Sequence, residues 1–322
     1  MPMSQSPISS NVDAPLPSLE ALPHDSPDSS QAQQTAQGAG SGSRPGSGRR
    51  AALSPSRAKD FMQCPLMFRL RTVDRLPEPG SLATHKGTVV HSVLERLYDL
   101  PAPERTQDAA LGLLPGQWQA HREKNPGVME LFEAPEQVET WLGEARALIG
   151  SYFALENPER LEPAERELFV QTETADGLLL RGFVDRLDIA PNGAMRVVDY
   201  KTGRSPHPRY MQDALFQMRF YGLVLWRLRG RPPARLQLLY LKDGRTLTHD
   251  PHTLELESVE TKVSRIWDEV EDCARYGDFR PQRSRLCDWC AFQAQCPLFG
   301  GDTPPPPEDG LAQLLTARRP AG

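Results

Sequence analysis

The chain has 322 residues, 39% of them hydrophobic, enough for a tail plus one large domain or two small ones. No run of about eighteen apolar residues occurs, and the Ser/Pro/Gln-rich start lacks the apolar stretch of a secretory signal, so a cytoplasmic protein with no membrane attachment is expected. The net charge of -5 gives no global bias toward nucleic acid but leaves room for a local basic groove.

Residues 1–52 are rich in Ser, Pro, Gly, Gln and Ala and cannot bury enough apolar surface to offset their ordering entropy. A disordered N-terminal tail is expected there. The ordered part opens with "LSPSRAKDFMQCP", where Ser54 can cap a helix that has Pro55 at its first position and delivers Cys64. In "THKGTVVHSVLERLYDL", Val90, Val93, Leu94 and Leu97 recur at helical spacing, with Thr84 as a candidate cap and His91 near the edge of the apolar stripe. Residues 103–157 read as a helical insertion; Val138, Trp141, Leu142, Ala145, Leu148, Ile149 and Tyr152 form one face of its best helix.

The pattern then changes period. "ERELFVQTETA", "LLLRGFVDRLDIA" and "AMRVVDYKT" read as three strands, and "PNG" at 191–193 is a turn signal. "PRYMQDALFQMRFYGLVLWRL" reads as a helix, "RLQLLYL" as a strand and "LELESVETKVSRIWDEVEDCARYG" as a helix. Residues 301–322, with "DTPPPPEDG" starting at 302, are expected to be a flexible tail with a possible short helix in "LAQLLTARR". The order predicts one α/β domain over 53–300, a mixed central sheet flanked by helices.

The stretch "VVDYKTG" carries the chemistry. Residues two apart on a strand share a face, so Asp199 and Lys201 point the same way. Lysine is scarce, 6 against 31 arginines, and one of the six stands here. If the turn is centred on Asn192, Asp185 lies across the hairpin from Asp199, with Cβ atoms roughly 5 Å apart. Two carboxylates that close repel unless a cation lies between them, and hard oxygen ligands suit Mg²⁺ or Mn²⁺. A lysine beside a metal-bound water would orient it or help deprotonate it. A solvated strand face, with Asp199 paired to Lys201 or Arg186, accounts for the same residues. Arg181, Arg186, Arg204, Arg209 and Arg219 are candidates to neutralise phosphates.

The five cysteines are Cys64, Cys273, Cys287, Cys290 and Cys296. An odd count argues against a disulfide framework, and C-x2-C-x5-C over 287–296 suggests a metal or cluster site. Structural zinc usually brings two short cysteine pairs, and only one is present. Cys273 falls in a helix and reads as a packed small hydrophobe.

These pieces together resemble the PD-(D/E)XK nuclease superfamily, and within it the RecB-type exonucleases with a C-terminal cysteine cluster, over about residues 53–299. "GTVVHSVLE" is similar to the family's first helix, which implies His91 as a metal ligand. "GFVDRLDI" and "VVDYKTG" imply Asp185 and Asp199 as acidic ligands and Lys201 as the catalytic lysine. "QMRFY" matches a Q-x-x-x-Y helix motif, placing Gln217 and Tyr221 on one face to touch substrate or brace the site. The resemblance also implies a restriction-endonuclease-like core and a [4Fe-4S] cluster on Cys64, Cys287, Cys290 and Cys296, with structural Zn²⁺ as the alternative.

The activity so implied is Mg²⁺- or Mn²⁺-dependent hydrolysis of DNA, as an exonuclease on single-stranded ends in recombination or repair. The chain contains no G-x-x-x-x-G-K-[ST], so a helicase partner would be a separate chain. A catalytically silent DNA-binding or scaffolding subunit keeps the same fold, and a zinc-stapled protein-interaction module is a third reading.

Overall fold

The computed structural model describes residues 50–319; the expected N-terminal tail up to residue 49 lies outside them. The chain begins with α1 (Pro55–Gln63) and α2 (Pro65–Thr72), then α3 (Leu82–Leu97), α4 (Gln107–Lys124) and α5 (Glu136–Leu155). Three strands follow, β1 (Glu165–Glu173), β2 (Leu179–Ile189) and β3 (Met195–Lys201). The chain closes with α6 (Met211–Arg229), β4 (Arg235–Tyr240), β5 (Arg245–His249), α7 (Thr253–Tyr276) and α8 (Glu308–Leu314).

The sheet has the order β1-β2-β3-β4-β5. It is mixed as expected: β3 and β4 are parallel, joined through α6, and every other pair is antiparallel. One face packs Val170, Leu180, Val184, Leu187, Val197 and Leu238 against α6 and α7, where Phe220, Leu223, Val263 and Trp267 are fully or almost fully buried. The other face packs Val198, Tyr200, Leu239 and Leu241 against α3, α4 and α5. The helical insertion therefore covers the sheet and forms a second core with Val90, Val93, Leu94 and Leu97 of α3.

Local signals explain most element ends. Ser54 caps α1 by accepting from the Arg57 amide, with Pro55 at the first helical position. Ser81, not Thr84, caps α3; its hydroxyl accepts from the Thr84 amide, which places Thr84 inside the first turn. The β2–β3 turn has Asn192 Oδ1 accepting from the Ala194 amide and Gly193 at φ +76°, a conformation glycine adopts without steric cost.

Three boundaries differ from expectation. β5 forms as the return arm of a hairpin whose turn holds Asp243-Gly244, a strong hairpin signal passed over because "RTLTH" is short and polar. Residues 50–52 belong to the fold: Ala51 and Ala52 are buried, and Arg50 binds the Gly177 and Ala317 carbonyls. The C-terminal segment, expected to be flexible, packs as far as residue 319. Leu314 and Ala317 enter the core, and the Leu179 amide donates to the Ala317 carbonyl. The run of prolines ahead of α8 masked these apolar anchors.

Candidate active site

The site sits where α3 crosses the β1–β2–β3 hairpins. Pairing between β2 and β3 runs Arg186 to Val198 and Leu187 to Val197, the register that a turn centred on Asn192 requires. Asp185 and Asp199 are the next opposing positions. There the carboxylate takes a backbone partner: the Tyr200 amide donates to Asp185 Oδ2 at 2.7 Å. β1 runs past the same place, with Arg166 paired to Arg186 and Leu168 to Val184, so Glu167 faces Asp185 across the other hairpin. Glu167 has φ +45°, unusual for a residue with a side chain, and it marks a distortion of the strand at the site.

His91, Glu167 and Asp185 offer ligand atoms that all lie within 4.8 Å of one another. Glu167 was not singled out in the sequence, where it looks like an ordinary acid on an amphipathic strand. The signal that could have found it is Asp176-Gly177: a hairpin turn centred on residue 176 sets 167 opposite 185.

The tautomer of His91 follows from its partners. Nε2 lies 3.0 Å from the Tyr200 carbonyl oxygen, so it carries the proton, and the lone pair of Nδ1 faces Asp185 Oδ2 at 3.5 Å. A histidine that donates one ring N–H to a backbone carbonyl is held as metal ligands are commonly held. Burial lowers the His91 pKa, favouring the neutral, ligating form. Asp185 is pushed well above the usual carboxylate range by burial and then by Asp199. Glu167 is raised to about 6 by desolvation, Glu95 and Asp199. Acids that raise one another in this way are relieved by a divalent cation, so the donor set suits a hard metal ion.

Asp199 stands beside this cluster but is held from the α6 side. Gln217 Nε2 donates to Asp199 Oδ1 at 2.9 Å, and Lys201 Nζ donates to Gln217 Oε1 at 2.9 Å. The ammonium also lies 2.6 Å from Asp199 Oδ2, although that buried oxygen makes no well-directed hydrogen bond. Gln217 thus bridges the D-x-K pair. Tyr221, one turn on, contacts Gln217 and the Phe183 backbone through its hydroxyl, whose pKa burial raises. Its ring lies so close to Gly182 that an added Cβ would stand 2.6 Å away, which explains the glycine two residues after Leu180.

The arginines divide. Arg186 is 1% exposed and points to the opposite face, so it is neither a phosphate contact nor a partner of Asp199. It binds Glu156 at 2.8 and 2.9 Å, Asp188 at 3.1 and 3.2 Å, and the hydroxyls of Tyr98 and Tyr200. Arg219 pairs with Glu255 at 2.5 Å. Arg204 and Arg209 are exposed, and Arg181 lines a cavity away from the carboxylates.

A family model of the PD-(D/E)XK nuclease superfamily matches residues 52–297. The chain belongs to this superfamily. Membership implies nuclease chemistry and a divalent metal. Among curated proteins, the Gene 69 protein of Mycobacterium phage D29 is 24% identical over 278 residues, 76% of this chain and 96% of that protein. The Gene 69 protein of Mycobacterium phage L5 is 28% identical over 128 residues, 38% of this chain and 41% of that protein. The crystal structure of SSO0001 is 20% identical with a TM-score of 0.33, covering 57% of this chain and 81% of that chain.

Far along the chain, the cysteines gather at a second place. Cys64 ends α1, and Cys287, Cys290 and Cys296 lie in short turns some 220 residues later. All four line a cavity of about 350 Å³ beside Met67 and Trp289. Backbone amides of Gln282 and Ser284 donate to the sulfurs of Cys64 and Cys287. Cys273 packs against the main core instead, and burial raises its thiol.

Proposed function

We propose that the protein is a Mg²⁺- or Mn²⁺-dependent deoxyribonuclease, a RecB-like exonuclease acting on single-stranded ends in recombination or repair. The observation that carries the reading is the convergence of His91, Glu167, Asp185, Asp199 and Lys201 where α3 crosses β1, β2 and β3. His91, Glu167 and Asp185 hold the metal, with Asp199 beside them. When bound, the ion supplies a Lewis acid and a water of lowered pKa. Lys201 aims a donor at the attacking water and at the charge that develops on phosphorus oxygens. Gln217 fixes both the lysine and Asp199, and Tyr221 fixes Gln217.

Phe169 and Phe183 support a single-stranded substrate. They face each other across β1 and β2, 45% and 55% exposed, with ring centroids 5.2 Å apart. Each stands two residues from an acid of the site, where unpaired bases can stack.

Four cysteines gathered around one cavity support a [4Fe-4S] cluster as the reading. Amide donors to the sulfurs are the bonds such clusters accept. The cluster would tie α1 to the C-terminal turns and close a very long loop. All five cysteines are free of disulfides, in keeping with a reducing cytoplasm. Among the described residues no helix is long and apolar enough to cross a membrane.

The test is cleavage of end-labelled single-stranded DNA with Mn²⁺ by anaerobically purified protein, beside Lys201→Ala. Cleavage by the wild type and its loss in a folded variant are expected. No cleavage by a cluster-loaded wild type, on single- and double-stranded substrates, would favour a silent DNA-binding subunit that serves a separate helicase.

A further inference from the structure

Residues 277–289 join α7 to the cysteine turns, and their two sides differ. The inner side is anchored. Phe279 is buried and stacks on Phe68 with ring centroids 6.5 Å apart. The Gln282 amide donates to Cys64 Sγ at 3.4 Å and the Ser284 amide to Cys287 Sγ at 3.3 Å. The Cys287 carbonyl accepts from Gln293 Nε2 at 2.7 Å. The outer side carries Arg283, Arg285, Leu286 and Trp289, all exposed. We propose that this outer side is a binding surface for single-stranded nucleic acid, with a base stacked on Trp289 and phosphates held by Arg283 and Arg285.

Trp289 is 79% exposed, whereas Trp118, Trp141 and Trp267 are buried. Tryptophan has the most apolar surface to withdraw from water, so an indole held outward on an anchored turn is out of the ordinary. Among the described residues it makes no ring or cation–π contact. Arg280 is paired with Asp278 at 2.8 Å. Arg283 and Arg285 make no side-chain ion pair or hydrogen bond among the described residues. The three arginines of the segment outnumber its two acids, Asp278 and Asp288, in a chain whose net charge is -5.

An aromatic face accepts any unpaired base, and arginines beside it hold the backbone, which is how strands are bound without sequence preference. Bases inside a duplex stay stacked on one another and leave no face for the indole. Arginine and tryptophan also anchor protein partners, but two cations without counter-charges favour a polyanion. The choice of a strand as ligand rests on the reading of the protein as a nuclease for single-stranded ends. None of the carboxylate-site residues lines the cysteine cavity that Leu286 and Trp289 border, so strand binding and cleavage can be tested apart.

The experiment follows the anisotropy of labelled oligothymidylate on titration with the full chain, purified anaerobically, in buffer without added divalent metal. Trp289→Ala should weaken binding about tenfold, and Trp289→Phe should keep most of it because a ring remains. Replacing Arg283 and Arg285 together by glutamine should weaken binding at low salt. It should also reduce the slope of log affinity against log salt by about 1.4, the share of two phosphates. Bound oligonucleotide should quench tryptophan fluorescence in the wild type and much less in Trp289→Phe. Wild-type metal content and unfolding temperature show that a variant is folded; if Trp289→Ala loses either, the arginine double variant decides. Cleavage with Mn²⁺ is read separately. Weak strand binding by the variants of a wild type that binds but does not cut upholds this surface and favours the silent subunit. Variants with the wild-type affinity and salt slope would overturn the proposal and leave the surface to a protein partner, and so would a wild type that binds no oligothymidylate.

Discussion

The backbone amide of Tyr200 holds Asp185 through a 2.7 Å hydrogen bond to Oδ2, and the carbonyl of the same residue takes the Nε2 proton of His91. The residue between Asp199 and Lys201 thus orients two side chains of the site with its backbone alone. Asp185→Asn keeps an acceptor for that amide but removes the charge. It should leave stability within about 1 kcal/mol of wild type and abolish Mn²⁺ binding. Asp185→Ala orphans the amide as well and should cost about 1–3 kcal/mol. Denaturant unfolding and metal titration of both variants check this; full Mn²⁺ affinity in Asp185→Asn would remove Asp185 from the ligand set.

Protons should compete with metal at this site. Asp185 is raised well above the ordinary carboxylate value and Glu167 to about 6, so both carboxyls hold protons that a cation must displace. Mn²⁺ affinity should rise as pH climbs through about 6, with protons released on binding. Without metal the sign reverses for stability. Raised pKa values mean that the folded state binds protons more tightly, so stability is fullest below the unfolded pKa and falls as pH rises through the folded value. Glu167→Gln should flatten both trends. Calorimetry in buffers of different ionisation enthalpy reads the protons released; an affinity that does not change between pH 5.5 and 7.5 would count against the site.

What the sequence made legible follows from what has a side-chain signature. Asp199 and Lys201 share a face because strands alternate, and Asn192 centres the hairpin that brings Asp185 over. Gln217 and Tyr221 come from the resemblance to a Q-x-x-x-Y motif, and helical spacing adds only that they share a face. Tyr200 was legible only as apolar filling, because its work is done by an amide and a carbonyl that every residue possesses. Glu167 looked solvated until the second hairpin was closed. Arg186 looked like a surface charge because arginines are seldom buried, and only the tyrosines and Glu156 of distant segments make its burial possible.

Arg186 lies under the site and ties it to the helical insertion. Its guanidinium joins Glu156 after α5 to the Tyr200 hydroxyl on β3. Arg186→Met leaves buried Glu156 with only the partly exposed Arg196, at 3.2 Å, as counter-charge and should cost about 3 kcal/mol. Adding Glu156→Gln to that variant should recover part of the loss, since the stranded charge is then removed. Chemical denaturation of the single and double variants reads this directly. Equal stability of Arg186→Met and wild type would show that the network contributes nothing to the fold.

The cysteine cavity makes a prediction that does not depend on nuclease activity. Cys64 reaches it from α1, whereas the other three thiols arrive from turns near the opposite end of the chain. Anaerobically purified protein should contain about four iron and four sulfide per chain, as a cubane held by four thiolates requires. Cys64→Ser and Cys290→Ser should each lose most of that content, and Cys273→Ser should keep it because its thiol lies in the main core. The loss should also make the protein easier to unfold, since the link that closes the long loop is gone. Stoichiometric zinc in a colourless protein would assign the four thiols to a structural ion instead.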